Sequence, residues 1–405
     1  MRTYGELFRT PEFTPLFLSS GASVTAQTVS GLALGTLIYT ATGSPLLSAL
    51  AMFGPALVQV VGATTLLSAA DRLPPRAAMT GMALAFAAGT GLQAVPGMPV
   101  WASFAVLLVL GLVSSPGGGV RYGLLNEILS KDGYLLGRSV LNMSTGMTQI
   151  AGFAVGGVLV ATLSPRGTLV VAALLYLVAA GTARFGLSRR APRAQGRLSV
   201  GETWRTNRRL WADRPRRTLY LALWLPNGLV VGCESLFVSY TPDHAGLLLA
   251  CAALGMLVGD VLLGRFVPAH RRVRLGVPLL LLLASPYLVF VARPAIQLAA
   301  VLVAVSAVGY GASLVQQEKL MRLTPEKLSG QALGLHTAGM LTMQGVAAAA
   351  AGSVAQFTSP ATAIVVMAAA SIIITFALAP GLRAARLAIS APSTPQRDRN
   401  SAGAQ

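Results

Sequence analysis

Charge is scarce in this sequence. Of 405 residues, 11% are Asp, Glu, Lys or Arg and 54% are hydrophobic, with a mean hydropathy of +0.65. A soluble domain has about 25% charged residues, so a chain with so little charge cannot cover a surface in water. We therefore expect lipid to surround most of the chain.

Reactive side chains are also few. The only cysteines, Cys233 and Cys251, lie inside apolar runs, which is typical of small core residues and not of a disulfide or a metal pair. The three histidines are scattered, and the sequence has no phosphate loop, no paired metal-ligand spacing and no nucleophile motif. We expect no catalytic residue, no metal and no cofactor, so the protein is not an enzyme. The net charge of +18 would suggest nucleic acid in a soluble protein, but no basic face with interleaved aromatics exists.

The apolar runs predict membrane spans, since a span needs about 20 mainly apolar residues. Twelve such runs occur, six on each side of an arginine-rich stretch that holds ten arginines between Arg189 and Arg217. The predicted spans are 14–40, 45–69, 76–95, 100–122, 138–163, 166–187, 218–241, 245–266, 273–292, 295–318, 331–356 and 361–382.

The positions of the cations predict the orientation of these spans. With the N-terminus inside, every lysine and arginine except Arg166 and Arg293 falls in an inner segment. Positive charge accumulates on the cytoplasmic side of membrane proteins. We therefore expect a multi-pass protein of the plasma (inner) membrane with both termini in the cytoplasm.

The two sides of the chain resemble each other at a shift of 193 residues. This shift aligns Arg72 with Arg265 and Pro75 with Pro268, and it also aligns Gly152 with Gly345. A parallel repeat of six spans is typical of transporters. We predict an all-α membrane protein of twelve transmembrane helices in two pseudo-symmetric six-helix bundles. Its segments are an N-terminal bundle (1–187), a basic cytoplasmic linker (188–217), a C-terminal bundle (218–390) and a disordered cytoplasmic tail (391–405).

Four stretches carry a resemblance to a known family. They are YTATGSPLLSAL after the first span, LSAADRLPPR after the second, GGGVRYGLLNEILSKDG at the end of the fourth and LMRLTPEKLSGQALGL after the tenth. Through them the chain resembles the major facilitator superfamily, and within it the bacterial drug- and siderophore-exporter branch. The resemblance implies the fold of that superfamily and transport by alternating access.

The resemblance also implies roles for two groups of residues. Asp71, Arg72 and Arg76 match the family's loop between spans two and three, which latches the cytoplasmic face in the outward-open state. Leu67, Pro74 and Pro75 depart from that loop. On span five, Gly152, Gly156 and Gly157 are similar to a glycine-rich signature of exporters, with Phe153 in place of its proline. Small residues four apart let helices approach closely, which would seal one gate; ordinary helix packing is the alternative.

Glu234 is the only acid well inside an apolar run and away from any arginine. A charge near the bilayer centre is costly, so such a residue is a functional candidate. A carboxyl in apolar surroundings can take up and release a proton during transport. Proton coupling at Glu234 is the functional hypothesis. Cation binding at the same carboxyl and a hydrogen-bonded structural acid are the alternatives.

Four further charged residues lie near the inner ends of spans. Asp260 precedes Arg265 by five residues on span eight, which allows only a loose pair and favours a latch or helix-end role over proton carriage. Arg121 closes span four, and Glu127 follows it by six residues, close enough to pair with Arg121 or with the Asp71 loop. We expect gating by these residues rather than contact with substrate.

The candidate cavity residues are uncharged. Span one has no acid, and Gln27 stands where relatives in the resembled branch often place an aspartate. His336 is a further candidate, although a capping or interhelical hydrogen bond is an alternative role for it. Each amide can equally tie neighbouring helices together. The full set of polar cavity candidates is Gln27, Gln59, Asn142, Gln149, His336 and Gln344.

These observations predict a secondary active transporter, with proton-coupled efflux of a hydrophobic or amphipathic small molecule as the leading hypothesis. The expected partners are the lipid bilayer, a small-molecule substrate and protons, without nucleic acid, and the protein is expected to be a monomer. An importer of a small nutrient with the same fold is the first alternative. A non-transporting membrane sensor or scaffold is the second.

Overall fold

The computed structural model describes residues 4–66, 73–129, 131–192, 200–272, 274–325 and 328–390. Within these ranges every regular element is a helix. A helix satisfies its own backbone N–H and C=O groups, which is what an apolar environment requires of a chain that crosses it. The prediction of an all-α fold is confirmed.

The described part of the first half contains seven helices. They are α1 (Tyr4–Arg9), α2 (Phe13–Thr42), α3 (Pro45–Leu66), α4 (Pro75–Gln93), α5 (Val100–Ser114), α6 (Gly117–Ile128) and α7 (Lys131–Gly186). The helix α7 is two helices joined at Ser164, whose φ of 74° and ψ of 162° are not helical and which Pro165 follows. We name the two arms α7a (131–163) and α7b (165–186).

The second half is more irregular. Its helices are α8 (Val200–Ala212), α9 (Arg214–Glu234), α10 (Phe237–Tyr240), α11 (Ala245–Val261), α12 (Ala269–Arg272), α13 (Gly276–Ala284), α14 (Ile296–Val308), α15 (Ala312–Arg322), α16 (Ser329–Phe357) and α17 (Pro360–Ser390). In the described residues, four short stretches of other helix types connect them: 3-10 turns at Pro242–His244, Ser285–Ala292 and Gly309–Gly311, and a π turn at Leu262–Phe266.

Each of the twelve predicted spans coincides with helical chain. The largest differences are at helix ends: α6 continues to Ile128, α7 begins at Lys131 and α17 runs to Ser390. Hydropathy marks only the apolar part of a helix, whereas the hydrogen-bond ladder continues through polar residues into water. The predicted boundaries were therefore too short at these three ends.

Seven stretches of the described chain are long and apolar enough to cross a membrane. They are Val100–Ile128, Leu136–Gly186, Arg214–Tyr240, Pro242–Phe266, Ile296–Arg322, Ser329–Phe357 and Pro360–Ala385. One of them, Leu136–Gly186, includes both arms of α7, and Pro45–Val60 and Gly276–Ala292 are shorter apolar helices. The chain is a multi-pass membrane protein, and the count of twelve spans stays a prediction.

The same pairs of helices pack against each other in both halves. The first helix of each half packs against the fifth: α2 against α7a, and α9 against α16. The second packs against the fourth: α3 against α5, and α11 against α14. The pairing agrees with two pseudo-symmetric bundles. Two glycines that the shift of 193 residues aligns in sequence do not make equivalent contacts. Gly152 contacts Thr28 on α2, whereas Gly345 contacts Leu57 on α3.

Alternate turns lie at opposite ends of the helices, because successive helices run in opposite directions. We call one of these ends the charge-poor end. Its turns are at 43–44, 94–99, 164, 241–244, 293–295 and 358–359. We call the opposite end the arginine-rich end. In the described chain it carries 73–74, 129, 187–192, 213, 267–272, 274–275 and 323–325.

The predicted linker contains a helix that is attached to the second half. Residues 193–199 of the linker and the tail at 391–405 lie outside the described residues. In α8, the Trp211 ring stacks on Trp224 of α9, with ring centroids 5.4 Å apart. Asn207 of α8 accepts a hydrogen bond of 2.7 Å from the Gln331 amide of α16. Trp204, by contrast, is 64% exposed.

We predict that Trp211→Ala lowers the melting temperature of the purified protein by a few degrees. Stacked aromatic pairs contribute about 0.5–1.5 kcal/mol beyond the burial of their area, and Trp211 stacks on both Trp224 and Tyr220. Trp204→Ala on the same helix is the matched control and is expected to have a smaller effect. Thermal unfolding in detergent measures both, and equal melting temperatures for the two variants would contradict the docking of α8.

Candidate functional site

The two halves approach each other most closely through backbone contacts near the charge-poor end. A Cβ atom added to Gly157 of α7a would lie 3.0 Å from the Cα of Gly246, in the first turn of α11. A Cβ on Gly352 of α16 would lie 2.6 Å from the Cα of Leu46 in α3. Neither position has room for a side chain, so both contacts require glycine.

Hydrogen bonds between the halves are found at the same end. Within the described ranges, two side-chain hydrogen bonds join the halves. Ser44 Oγ donates to Gln356 Oε1 at 2.8 Å, and Tyr39 OH donates to the backbone oxygen of Ser239 at 3.4 Å. These bonds and the glycine contacts together close the charge-poor end.

The glycine segment predicted on span five is a packing surface. Gly152 and Gly156 face α2, where a Cβ would lie 3.0 Å from Thr28 Cβ and 3.4 Å from Val29 Cα respectively. Gly157 lies on a different side of the helix and faces the second half. Two of the three glycines therefore hold α7a within its own half, and one forms the contact between halves.

Gln27 lies on a side of α2 that its own half leaves uncovered. Thr28 contacts Gly152 of α7a, and Ala26 packs against Tyr176 of α7b. Because neighbouring residues on a helix point about 100° apart, Gln27 occupies the remaining side, and its side chain is exposed.

Two other predicted cavity amides lie next to the surfaces that join helices. Gln149 of α7a lies one turn before Phe153 and is partly buried. It lies between the side of α7a that faces α2 and the side that faces α11. Gln344 is partly buried between Met343, which contacts Gly228, and Gly345, which contacts Leu57. Both amides lie on helices that contact the opposite half.

The other predicted polar residues bind neighbouring helices. Asn142 Oδ1 accepts a hydrogen bond of 2.8 Å from Tyr122 OH of α6. His336 Nε2 lies 3.2 Å from Gln317 Nε2 of α15, which is the interhelical bond named as the alternative for this histidine. Gln59 is partly buried, and its backbone oxygen accepts from Ser115 Oγ at 3.2 Å.

Glu234 is buried inside the second half. It is the last residue of α9, its residue surface is 6% exposed, and its Oε1 accepts a hydrogen bond of 3.1 Å from Tyr310 OH. Tyr310 is itself 5% exposed. The carboxyl is thus buried, and its hydrogen-bond partner belongs to the same half.

Three interruptions of regular helix meet around this carboxyl. The helix α9 ends at Glu234 and resumes after Leu236, and Tyr310 belongs to the 3-10 turn Gly309–Gly311. The third is the 3-10 stretch Ser285–Ala292, whose Tyr287 stacks on Phe237 with ring centroids 6.3 Å apart. Irregular backbone at membrane depth is tolerated where it is enclosed by protein, and in transporters it marks sites of ions and substrates.

An ion-pair cluster holds the first half together at the arginine-rich end. Arg190 donates to both oxygens of Glu12, at 2.9 and 3.1 Å, and its Nε lies 3.5 Å from Glu127 Oε2. The backbone N–H of Ser188 also donates to Glu12 at 3.1 Å. Glu127 therefore has a partner, Arg190, that the sequence prediction did not include.

The predicted latch residues are only partly described. Asp71 and Arg72 lie outside the described residues, and Arg76 is partly buried in the first turn of α4. Arg121 lies over the Tyr122 ring at 4.9 Å from its centroid, and its Nε has no hydrogen-bond partner among the described residues.

Asp260 and Arg265 are not joined. Both side chains are exposed, and no ion pair within the described ranges links them or binds either one elsewhere. The intervening π turn Leu262–Phe266 shifts the register of the helix between them. The loose pair expected from the sequence is absent in this conformation.

Sequence reasoning missed the partners of several predicted residues. Tyr310 lies 76 positions from Glu234, and Arg190 lies 178 positions from Glu12. No local pattern predicts such pairs. Gly246 and Gly352 were visible as glycines in apolar runs, but 43 glycines occur in the chain and the spacing of these two is not distinctive.

Comparisons with known proteins bear on the fold. Residues 16–244 match the sequence model of the Major Facilitator Superfamily, which covers more than half of the chain. A search of the curated proteins finds no match.

Several solved transporter structures are similar to this fold. A POT family transporter in complex with 5-aminolevulinic acid has a TM-score of 0.74 at 11% identity, covering 92% of this chain and 96% of that chain. The nucleoside transporter NupG has a TM-score of 0.70 at 15% identity, covering 92% and 99%. A bacterial homolog of the human lysosomal transporter Spinster, in an inward-facing and occupied conformation, has a TM-score of 0.68 at 12% identity, covering 94% and 98%. At these identities the likeness shows the fold alone.

We predict that Gly246→Val opens the charge-poor end. The added side chain would displace the backbone of Gly157, and overpacking of this kind costs about 1–3 kcal/mol. Spin labels at positions 40 and 357, in a background with both cysteines replaced by alanine, should show a distance distribution shifted to longer values. Gly181→Val is the control, because a Cβ there has no neighbour within 4 Å. An unchanged distribution in Gly246→Val would contradict the assignment of this contact as the closure.

Proposed function

Because the chain belongs to the Major Facilitator Superfamily, we propose that it is a secondary active transporter that exports a hydrophobic or amphipathic small molecule in exchange for protons. The family and the fold establish the transporter; the substrate class, the direction and the coupling ion are the proposal. We place the protein in the plasma membrane as a monomer, with both termini and the arginine-rich end in the cytoplasm.

The distribution of contacts between the halves carries the proposal. Glycine contacts close the charge-poor end, and both side-chain hydrogen bonds found between the halves in the described ranges lie at that end. In alternating access, two bundles rock around a central site and close one end at a time. With the arginine-rich end in the cytoplasm, we interpret this arrangement as an inward-open state. The latch residues Asp71, Arg72 and Arg76, with Arg121, Glu127, Asp260 and Arg265, would then engage in the outward-open state.

The residues next to the interface between halves favour an uncharged or amphipathic substrate. Gln27, Gln149 and Gln344 offer hydrogen-bond groups, and none of the three carries a charge. A binding pocket for small apolar molecules is lined mainly by hydrophobic side chains with a few placed polar groups. A carboxylate or a sugar phosphate would need a fixed cation among these positions.

Glu234 is the proposed proton carrier. Taking a charge into apolar surroundings is costly, so a buried carboxyl without a cation beside it gains from holding a proton. The Tyr310 hydroxyl, 3.1 Å away, donates to the carboxyl and can stabilise its charged form when the proton leaves. Because Tyr310 belongs to an interrupted helix, a change of proton occupancy can act on the backbone around Gly309–Gly311.

We predict that Glu234→Gln abolishes flux driven by a proton gradient. Glutamine keeps the size and the hydrogen bond but cannot release a proton, so the dependence of flux on the gradient should be lost. Tyr310→Phe removes one hydrogen bond, worth about 0.5–1.5 kcal/mol, and should reduce the rate only a few-fold. Fluorescent hydrophobic compounds in reconstituted vesicles, with the gradient imposed in either direction, provide the measurement.

Asp243→Asn is the control for this experiment, because Asp243 is an exposed acid near the same end of the bundle. Wild-type pH dependence in Glu234→Gln would make Glu234 a hydrogen-bonded structural acid. Movement of the compound in the same direction as the protons, instead of the opposite direction, would favour the importer. If the wild type gives no gradient-dependent flux of any tested compound, a non-transporting sensor or scaffold is favoured.

A further inference from the structure

A cavity of about 290 Å³ lies at the arginine-rich end of the second half, between α13, α15 and α17. Its lining combines three cations, Arg274, Lys319 and Arg383, with apolar residues that include Val277 and Leu382. None of the described lining residues is acidic. The cavity is distinct from the surface between the halves and from the Glu234 carboxyl.

A buried amide points into this cavity without a partner. Gln316 is 0% exposed, and neither its Nε2 nor its Oε1 has a hydrogen-bond partner among the described residues. A Cβ added to Gly276 would lie 2.9 Å from Gln316 Nε2. An amide that is buried and unpaired costs free energy, and such a group calls for a ligand or water in the space it faces.

Lys319 accompanies this amide. It lies three residues after Gln316 on the same side of α15, is 4% exposed, and its Nζ would be 3.3 Å from a Cβ on Gly276. The glycine therefore leaves an ammonium and an amide facing one space, while the exposed Arg274 and Arg383 lie at its opening.

We propose that this cavity binds a phosphate group, with Lys319 and Gln316 as donors inside and Arg274 and Arg383 at the rim. Guanidinium and ammonium groups together match the several acceptor oxygens of a phosphate. Basic pockets between helices on the cytoplasmic side of membrane proteins take the phosphate of anionic lipid headgroups. The apolar side chains of Val277 and Leu382 beside the cations suit the glycerol and acyl part of such a lipid. A soluble phosphate offers the same chemistry to the inner donors.

The test measures the melting temperature of the full-length protein in neutral detergent. One arm titrates phosphatidylglycerol against a phosphatidylcholine background, and the other titrates inorganic phosphate. A saturable rise with phosphatidylglycerol supports a lipid headgroup, and a saturable rise with inorganic phosphate supports a soluble ligand. Arg383→Gln should weaken the apparent affinity about fivefold, as expected for one cation near a membrane surface. Lys319→Gln should weaken it at least as much.

Arg184→Gln is the matched control, because Arg184 is an exposed arginine near the arginine-rich end of α7b in the other half. It should keep the affinity of the wild type. Arg383 is at the rim and exposed, so Arg383→Gln should fold even if the buried Lys319→Gln does not. No saturable shift in either arm, or equal affinity in wild type, Arg383→Gln and Lys319→Gln, would overturn the proposal.

Discussion

The contact of backbone with backbone between Gly157 and Gly246 is the constraint on which the arrangement of the two halves depends. Inside a bilayer, lipid tails are as apolar as side chains, so the hydrophobic effect does not drive one helix against another. Association rests on close packing, which is greatest where both helices lack side chains. The glycine at position 352 provides a second such contact with α3 at the same end. Because both contacts lie at the charge-poor end, the halves are held together there in this conformation, and the proposed outward-open state requires these contacts to separate.

The general architecture followed from composition and charge. Apolar runs located the seven stretches of the described chain that are long and apolar enough to cross a membrane, because hydropathy measures the solvent that a segment requires. Hydropathy does not detect the polar helical turns that extend α7 back to Lys131 and α17 on to Ser390. The shift of 193 residues aligns the basic loops and pairs Gly152 with Gly345 in sequence. It does not predict their contacts, because the rotation of a helix depends on its neighbouring helices and not on the length of the loops.

The candidate site was only partly predictable for a related reason. Glu234 was identified because an isolated acid in an apolar run is costly and therefore conspicuous. Its enclosure by Tyr310 and the interrupted helices depends on which helices surround α9, and one sequence carries no signal for that. The ion pair of Glu12 with Arg190 has the same origin, with 178 residues between its members. Long-range pairs of this kind arise from tertiary packing alone.

Glu234 also breaks the symmetry between the halves. The residue 193 positions earlier is Ala41, so the first half offers no acid at the corresponding place. The 3-10 stretches Ser285–Ala292 and Gly309–Gly311 are likewise confined, among the described spans, to the second half. Regular helices suit the half that moves as a rigid body. An enclosed acid among interrupted helices suits the half in which, under the proposed proton coupling, a proton would change the local structure.

The linker is attached to both halves, which gives the arginine-rich stretch a mechanical consequence. Arg190 binds Glu12 and Glu127 in the first half, while Trp211 and Asn207 attach α8 to the second. When two bundles rock around a central site, as proposed above, points at the two ends move further than points near the centre. The linker joins the halves at one of those ends, so the distance between Arg190 and Trp211 is expected to differ between the states of the proposed cycle. Arg190 therefore attaches the linker to the first half at an end that moves in that cycle.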